Sequence, residues 1–312
     1  MIEVDEVTRI ERLEREAHKG DRGRVLLIAG SLRMSGAARL AGWGALRGGA
    51  GLLTIASPAE AQPIIAADLT CAMTLPLPSR RGVFTAAGAA AALAFAESVD
   101  AVGLGPGIST DVAPFFRKLL PKLIRPFVLD ADGLNLLAKQ PELIEESAPK
   151  RVLTPHPGEA ERLLGHPIAT DPDARIAAAG ELAERFRAVA VLKGAGTVVC
   201  DGDRYFVNRT GNPGMATGGT GDVLTGLIAA RLGAGEQPFA AAVQAVSLHG
   251  RAGDLAAAAV GERSMIAEDL VANLAGAMAE LTEQPARRTT QPRAAKRGKG
   301  TGSRRRGGTN RG

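Results

Sequence analysis

"NPGMATGGTGDVLTG", residues 212–226, places a glycine-rich loop directly before an apolar helix that continues through LIAARL to residue 232. The amides of Gly218, Gly219 and Gly221 would converge at the start of this helix, where unpaired N–H groups and the helix dipole bind anions. Asp222 is the only acid in the stretch. A carboxylate there can take a proton from a substrate hydroxyl while the amides stabilise a transferring phosphoryl group, and a second carboxylate would repel that group. The competing interpretation is a helix cap, because Asp is a favoured N-cap residue.

The rest of the chain alternates apolar strands with helices. Strands are predicted at 24–30, 52–57, 70–77, 101–105, 126–131, 151–155 and 189–194, and a hairpin at 197–202 and 204–208. Helices are predicted at 36–49, 86–98, 113–123, 133–139, 158–165 and 173–188, with further helices to about residue 283 and a short surface helix over residues 1–20. This alternation indicates an α/β fold, with a mostly parallel central sheet, helices on both faces and an antiparallel edge hairpin.

Composition separates a globular body from a basic tail. Residues 285–312 hold ten Arg or Lys and no acid, whereas residues 1–284 hold 28 basic and 33 acidic residues. The tail has almost no apolar residues, so we predict one domain over 1–284 and a disordered tail over 285–312. The tail could bind nucleic acid or another acidic partner. Aromatic residues make up only 3% of the chain, which argues against a stacking platform for single-stranded nucleic acid.

Neither a secretory signal nor an apolar run of about 18 residues is visible, which predicts a cytoplasmic protein without a membrane span. Cys71 and Cys200 lie in apolar stretches and are expected to be buried, reduced thiols.

Five further glycine-rich loops follow predicted strands, at 29–37, 103–110, 129–135, 154–161 and 192–197. Glycine lets backbone amides approach a ligand closely, and loops at the carboxyl ends of parallel strands meet at one edge of the sheet. These loops therefore predict a nucleotide or phosphate pocket. A P-loop is excluded, because no lysine follows the glycines at positions 36 and 214, and the dinucleotide pattern G-x-G-x-x-G is absent after the first strand.

The G-x-G-D pattern at the start of a late helix resembles the ribokinase-like superfamily. Within it, NPGMATGGTGDVLTGLIAA resembles the ADP- or ATP-dependent NAD(P)H-hydrate dehydratase family, and five further segments agree: HKGDRGRVLLIAGS (18–31), GLGPG (103–107), VLDADGLN (128–135), LTPHPGEAERLLG (153–165) and VLKGAGTVVCDG (191–202). The resemblance covers residues 18 to 280. It implies a ribokinase-like three-layer fold and a lyase that repairs NADHX and NADPHX. The ring hydroxyl would be phosphorylated by ADP or ATP with Mg²⁺, and phosphate would then be eliminated.

The resemblance also assigns site residues, motif by motif. Asp222 matches the general base at the hydrate, and the other hydrate-lining positions match Ala37, Gly107 and His156. The nucleotide-binding positions match Lys193, Gly194, Ala195, Gly196, Thr197, Gly219 and Gly221. Asn135 and Asp132 receive a supporting role only. Mg²⁺ is expected on phosphates and water, without a dedicated protein cage.

Several alternatives stay open at this stage. His156 could be a packed or solvated histidine, Lys193 a solvated lysine, and Glu159 a first-turn acid that complements a helix dipole. His249 is expected in the apolar face of a helix, without a chemical role. The loop residues Leu32, Arg33 and Met34 depart from the family pattern.

At the level of function, the alternative is a ribokinase-like kinase for a hydroxymethylpyrimidine or hydroxyethylthiazole. The family resemblance further implies a homotetramer. It also implies a separate epimerase, since only about two dozen residues precede the first predicted strand.

Overall fold

Strands and helices alternate through the computed structural model, which describes residues 1–144 and 150–282. The strands are β1 (Ile2–Glu3), β2 (Arg24–Ile28), β3 (Leu52–Pro58), β4 (Met73–Leu77), β5 (Ser79–Arg80), β6 (Val83–Phe84), β7 (Ala101–Leu104), β8 (Phe127–Leu129), β9 (Arg151–Leu153), β10 (Val189–Leu192), β11 (Val198–Cys200) and β12 (Arg204–Val207). The helices are α1 (Ser35–Arg47), α2 (Gln62–Asp68), α3 (Gly88–Ala96), α4 (Ala113–Leu119), α5 (Asp132–Lys139), α6 (Pro157–Leu164), α7 (Pro172–Phe186), α8 (Thr220–Gly233), α9 (Pro238–Val260) and α10 (Ala267–Leu281).

Ten of the strands form one sheet in the order β1-β12-β11-β10-β9-β8-β7-β2-β3-β4. From β10 to β4 all neighbours are parallel, whereas β11 runs antiparallel to both β10 and β12. The predicted parallel sheet with an antiparallel hairpin is confirmed. The hairpin is not the outermost element, because β1 pairs in parallel with β12 and covers that edge.

Side chains of the central strands alternate between two cores. In β2, Val25 and Leu27 face the core built with α1, α2, α8, α9 and α10. Leu26 and Ile28 face the core built with α3 to α7. Every second residue of a strand points to the same face, so a run of apolar residues can serve both cores. The predicted three layers, helix, sheet and helix, follow from this arrangement.

Close packing fixes α8 against α1. A Cβ on Gly226 would lie 1.9 Å from Ala41 O and 2.6 Å from Ala45 N. A Cβ on Gly44 would lie 2.2 Å from Val223 O. Backbone therefore touches backbone where the two helices meet, and α8 also packs on β2, β7 and β8. This contact determines where the first turn of α8 lies relative to the strand ends.

The prediction of a surface helix over residues 1–20 is wrong. The segment is extended instead: Ile2 N donates to Asp203 O at 2.9 Å and Val4 N donates to Tyr205 O at 2.8 Å. Farther along, Ile10 is buried and bridges to Thr282. The open edge of β12 offers unpaired backbone groups that a helix could not satisfy, and pairing with it outweighs the local preference of the charged segment.

Residues 59–84 also differ from the sequence-based expectation. They contain α2 and the two-stranded β5–β6 hairpin, neither of which was predicted. Cys71 lies between α2 and β4 and is exposed, which corrects the prediction of a buried thiol, whereas Cys200 is buried. The connection is held by Glu60, whose carboxylate accepts hydrogen bonds from Ser79 Oγ and Gly82 N.

The basic tail lies outside the described residues, so the division of the chain at residue 284 stays a prediction. Within residues 1–144 and 150–282, the structure contains no helix with the length and apolarity needed to cross a membrane.

Gly226→Ala should lower the free energy of unfolding by about 2 kcal/mol, because overpacking a tight contact typically costs about 1–3 kcal/mol. Gly36→Ala is the matched control in α1, since a Cβ there meets nothing within 4 Å. Alanine favours a helix over glycine by up to about 1 kcal/mol, so the control should keep or gain stability. Urea unfolding followed by circular dichroism measures both, and equal stability of the two variants would contradict the close contact.

Candidate active site

Loops from neighbouring strands meet at the carboxyl edge of the sheet, as the sequence predicts. The loops 29–37, 103–110, 129–135, 154–161 and 192–197 follow β2, β7, β8, β9 and β10, which are all neighbours in the sheet. Backbone hydrogen bonds join them in pairs: Gly30 N donates to Pro106 O at 2.8 Å, and Lys193 N donates to Pro155 O at 2.8 Å.

The first turn of α8 closes this edge. Gly219 precedes the helix with φ +96°, a conformation that favours glycine, and a Cβ there would lie 2.4 Å from the end of the Leu40 side chain. Thr220 Oγ1 donates within the loop, to Met215 O at 3.0 Å or Thr217 O at 3.1 Å. The cap position is Gly219 and not Asp222, which rules out the simple N-cap interpretation of that acid.

Asp222 lies in the first turn of α8 with a strongly altered acidity. Burial, followed by the negative charge of Asp130, raises its pKa to about 7, while Lys193 acts in the opposite direction. Such a carboxylate exchanges a proton near neutral pH, which suits a general base. The expectation that Asp222 stands without a second acid needs correction, because Asp130 and Asp132 both lie close enough to raise its pKa.

An ion pair between the buried Asp130 and the partly buried Lys193 lies directly beside this turn. Lys193 Nζ is 2.7 Å from Asp130 Oδ1 and 3.9 Å from Glu159 Oε2. Burial alone would lower the pKa of Lys193, but the charges of Asp130 and Glu159 outweigh it, so the pKa is raised. Thr225 Oγ1 donates to Asp130 Oδ2 at 2.6 Å. Lys193 is therefore a fixed ammonium group and not the solvated lysine that the sequence left open.

A cavity of about 630 Å³ opens on one side of the α8 start. Its walls come from the loop 193–197, the segment 207–213, the start of α8 and the α9 residues Val246, His249 and Gly250. Six predicted nucleotide-binding residues line it: Lys193, Gly194, Ala195, Gly196, Thr197 and Gly221. Gly219 is not among the lining residues; it forms the turn that leads into the helix.

A larger groove of about 850 Å³ lies between the N-terminal segment, β12, α9 and α10. It shares residues 207–210 with the cavity, but none of the predicted site residues lines it. The volume of a cavity therefore does not identify the candidate site. The site is identified by the positions of Asp222 and the loop 193–197.

The predicted hydrate-binding residues do not line the nucleotide cavity. Gly107 and Ala37 adjoin each other, because a Cβ on Gly107 would lie 2.8 Å from Ala37 Cβ and 2.9 Å from Met34 O. Met34 thus connects the loop after β2 to the loop after β7. Gly107 and His156 follow β7 and β9, and Ala37 lies in the first turn of α1, which follows β2, so all three lie at the same edge of the sheet.

His156 caps α6 and is half-exposed. Its Nδ1 accepts from Gly158 N at 3.1 Å and Glu159 N at 3.4 Å, while Glu159 Oε2 accepts from His156 N at 2.8 Å. Burial, then Lys193 and Arg162, lower the pKa of His156. The exposed face of a neutral imidazole is thus turned to solvent at the edge where the loops meet, and Glu159 has the structural first-turn role.

Asn135 connects to the same helix. Its Oδ1 accepts from Arg162 Nε at 3.0 Å, and Asp132 Oδ2 accepts from Ser109 N at 2.9 Å. Asn135 therefore joins α5 to α6, and Asp132 joins the start of α5 to the loop after β7. The supporting role of the two residues stays a prediction.

Sequence reasoning missed four residues of this region: Asp130, Thr225, Arg175 and His249. Asp130 carried a signal, since an acid directly follows a buried strand. Arg175 had no such signal in the sequence. From α7, its Nη2 donates to Leu192 O and Lys193 O, each at 3.3 Å, and so holds the start of the loop 193–197. His249 lies in α9 and burial lowers its pKa, which agrees with the expected position on a packed helix. His249 lines the cavity, and its Nε2 is 2.8 Å from Thr220 O.

Within the part of the chain that the structure describes, no group of three or more His, Cys, Asp or Glu side chains could hold a metal ion. The carboxylates of Asp130 and Glu159 face the Lys193 ammonium instead. A divalent cation at this site fits best on the phosphates of a nucleotide and on water.

Lowering the pH should destabilise the protein through His249. Burial lowers its pKa to about 4, whereas an unfolded histidine has a pKa of about 6.5. Between these values the unfolded chain binds the extra proton, so stability falls as the pH drops, by up to about 3 kcal/mol for an isolated group. His249→Gln should remove this dependence, as measured by urea unfolding between pH 7 and pH 4.

His166→Gln is the control for that experiment. The exposed His166 has a raised pKa, because Pro167 O and the Glu181 carboxylate hydrogen-bond to its ring. Its contribution to stability is present at low pH and is lost as the pH rises through the folded pKa. The control should therefore alter the pH dependence in the opposite direction. A pH-independent difference between wild type and His249→Gln would contradict the neutral, buried state of His249.

Comparisons with known proteins agree with this geometry. A sequence profile described as NAD(P)H-hydrate dehydratase matches residues 25–275. The bifunctional NAD(P)H-hydrate repair enzyme of Moorella thermoacetica is 43% identical over 282 residues, which are 89% of this chain and 53% of that protein. The chain thus spans about half the length of this relative.

Solved structures match over nearly the whole described chain. The ADP/ATP-dependent NAD(P)H-hydrate dehydratase of Bacillus subtilis, crystallised with ATP and Mg²⁺, superposes with a TM-score of 0.74 at 33% identity, covering 88% of this chain and 95% of that one. A ribokinase-like superfamily protein of Enterococcus faecalis superposes with a TM-score of 0.74 at 24% identity, covering 88% and 93%. The predicted ribokinase-like fold is confirmed.

Proposed function

The chain belongs to the NAD(P)H-hydrate dehydratase family, and we propose that it dehydrates (S)-NADHX and NADPHX back to NADH and NADPH. ADP or ATP is the proposed co-substrate, together with Mg²⁺. The observation that carries the proposal is Asp222, a carboxylate with a pKa of about 7 in the first turn of α8, beside the cavity lined by residues 193–197. A proton acceptor and an anion-binding helix terminus are what phosphoryl transfer to a hydroxyl requires.

In the proposed reaction the nucleotide occupies the cavity, with its adenosine against residues 193–197. Its phosphates face the amides of the first α8 turn, with Gly221 among them, and the ammonium of Lys193. Mg²⁺ bound to the phosphates neutralises their charge. Asp222 takes the proton of the ring hydroxyl as the hydroxyl oxygen bonds to the terminal phosphorus; the bond from that phosphorus to the bridging oxygen breaks, and AMP leaves from ADP or ADP from ATP. Phosphate then leaves with the C–O bond electrons, water takes the proton of the neighbouring ring carbon, and the C–H electrons form the double bond.

Ala37, Gly107 and His156 are proposed to bind the hydrate on the other side of Asp222. Their placement on the strand ends supports this division, since the nucleotide cavity excludes all three. Glycine at position 107 lets the loop after β7 pack closely against Ala37 and Met34, and a neutral His156 can hydrogen-bond without adding charge next to a dinucleotide.

Assembly and partners rest on the family resemblance. A homotetramer and a separate epimerase acting on the same metabolite are proposals of this kind. Binding of the basic tail to nucleic acid or another acidic partner concerns residues outside the described part, and a cytoplasmic location stays a prediction from the sequence.

Incubation of the full chain with NADHX, Mg²⁺ and either ADP or ATP should restore the absorbance of the reduced nicotinamide. Running both nucleotides in parallel determines which is preferred. Samples without nucleotide control for spontaneous dehydration. Phosphorylation of a hydroxymethylpyrimidine or hydroxyethylthiazole, with no recovery of absorbance in either sample, would instead support the kinase alternative and contradict this proposal.

Asp222→Asn should lower turnover by about 100-fold or more, the usual contribution of a general base, while nucleotide binding measured by calorimetry persists. Asp173→Asn is the matched control, because it removes an exposed first-turn acid from α7.

For the wild type, kcat/KM should fall as the pH drops below about 7, since a protonated Asp222 cannot accept the proton. Near-normal turnover of Asp222→Asn, or a flat profile between pH 5 and 8, would remove Asp222 from this role.

A further inference from the structure

Asp130 is a buried acid that the proposed reaction does not use. It follows β8 directly and is 1% exposed. Asp130 N donates to Leu104 O at 3.0 Å, and a Cβ on Gly105 would lie 1.9 Å from Asp130 O. The end of β7 therefore holds the backbone of Asp130 closely, so its carboxylate projects from a fixed point at the edge of the sheet.

Both carboxylate oxygens of Asp130 bind residues of the candidate active site. Oδ1 accepts from Lys193 Nζ at 2.7 Å, and Oδ2 accepts from Thr225 Oγ1 at 2.6 Å. Thr225 lies one turn after Gly221 in α8, and its hydroxyl is 3.3 Å from Gly221 O. One acid at the end of β8 thus ties the start of α8 to the end of β10.

The same contacts hold the Lys193 ammonium at the start of α8. A Cβ on Gly221 would lie 3.4 Å from Lys193 Nζ and 3.9 Å from Asp130 Oδ2. Glu159 flanks the ammonium on another side, with Oε2 at 3.9 Å. Lysine has a flexible stem with many rotamers, so the carboxylates fix a cation that would otherwise sample the cavity.

Asp222 experiences the charges of both partners. The charged groups that act on it are Asp130, Asp132 and Lys193; the two acids raise its pKa and Lys193 lowers it. Loss of the Asp130 charge would remove a repulsion and leave the Lys193 charge without its nearest compensation. Both changes favour the ionised form of Asp222, so they act in the same direction.

We propose that Asp130 is a positioning residue: through Lys193 and Thr225 it fixes the ammonium at the start of α8 and sets the field in which Asp222 accepts the substrate proton. The inference rests on the proposed function for its chemical meaning. Its physical content concerns the protein alone, so it can be tested without turnover.

The direct test is the titration of Asp222, followed by NMR of carboxyl carbons in ¹³C-labelled aspartate and assigned by the loss of its signal in Asp222→Asn. In Asp130→Asn the pKa of Asp222 should fall by at least about 1 unit from the wild-type value, the usual effect of a charge within a few ångströms. Asp132→Asn is the matched control, since it removes a neighbouring acid that has no hydrogen bond to Lys193 or Thr225, and should give a smaller shift. Thr225→Val keeps the charge of Asp130 and should leave the pKa nearly unchanged.

The double variant Asp130→Asn/Lys193→Met covers the case in which a buried, unpaired lysine prevents folding. It removes the charges of Asp130 and Lys193 together, so the pKa of Asp222 in the double variant should lie closer to the wild-type pKa than the pKa in Asp130→Asn does. If Asp130→Asn does not fold, the pKa of Asp222 in the double variant should lie near the wild-type value. An unchanged Asp222 pKa in a folded Asp130→Asn would overturn the proposal, as would an equal shift in Asp132→Asn. The two proposals can fail separately. If Asp130→Asn lowers the pKa of Asp222 as expected but the wild-type protein repairs no hydrate, the proposed function is overturned and the positioning role of Asp130 stands.

Discussion

The backbone contact between α8 and α1 is the constraint on which the rest of the site depends. Gly226 and Gly44 let the two helices approach until no side chain fits between them, and α8 packs on β2, β7 and β8 at the same time. The first turn of α8 therefore has one possible position, across the carboxyl ends of the central strands. This placement brings the amides of that turn and the carboxylate of Asp222 to the loop 193–197, and the hydrogen bonds of Asp130 to Lys193 and Thr225 then join the loop to the helix.

The electrostatic character of the site follows from burying several charges together. The charge of Asp130 repels both Glu159 and Asp222, and the ammonium of Lys193 offsets part of that repulsion. Removing one partner of a buried ion pair is usually far more destabilising than replacing both partners with apolar residues. The loss of either Asp130 or Lys193 alone should therefore destabilise the protein more than the loss of both. Burial and the remaining repulsion from Asp130 together raise the pKa of Asp222 to about 7, where a base can accept a proton and release it again.

The fold was largely predictable because each central strand has a clear signal in the sequence. An apolar run such as RVLLI ends in a glycine loop, and this pattern repeats through β10. The failures lie where tertiary contacts decide. Residues 1–20 have the composition of a surface helix, but they form none, and Ile2–Glu3 pairs with the open edge of β12 instead. Sequence motifs predicted Asp222 and residues 193–197 as site residues, and the structure places residues 193–197 in the wall of one cavity beside the start of α8. Contacts between residues far apart in the sequence were not predictable. The hydrogen bond from Thr225 to Asp130, for example, joins residues that lie 95 positions apart.

The central claim is that the start of α8 binds nucleotide phosphate beside Asp222. A crystal structure of the protein with ADP and Mg²⁺ tests it most directly. The account predicts phosphate oxygens within hydrogen-bonding distance of the Gly221 amide and of Lys193 Nζ, with the adenosine against residues 193–197. A nucleotide bound in the larger groove between the N-terminal segment, α9 and α10, with the start of α8 free of phosphate, would contradict it.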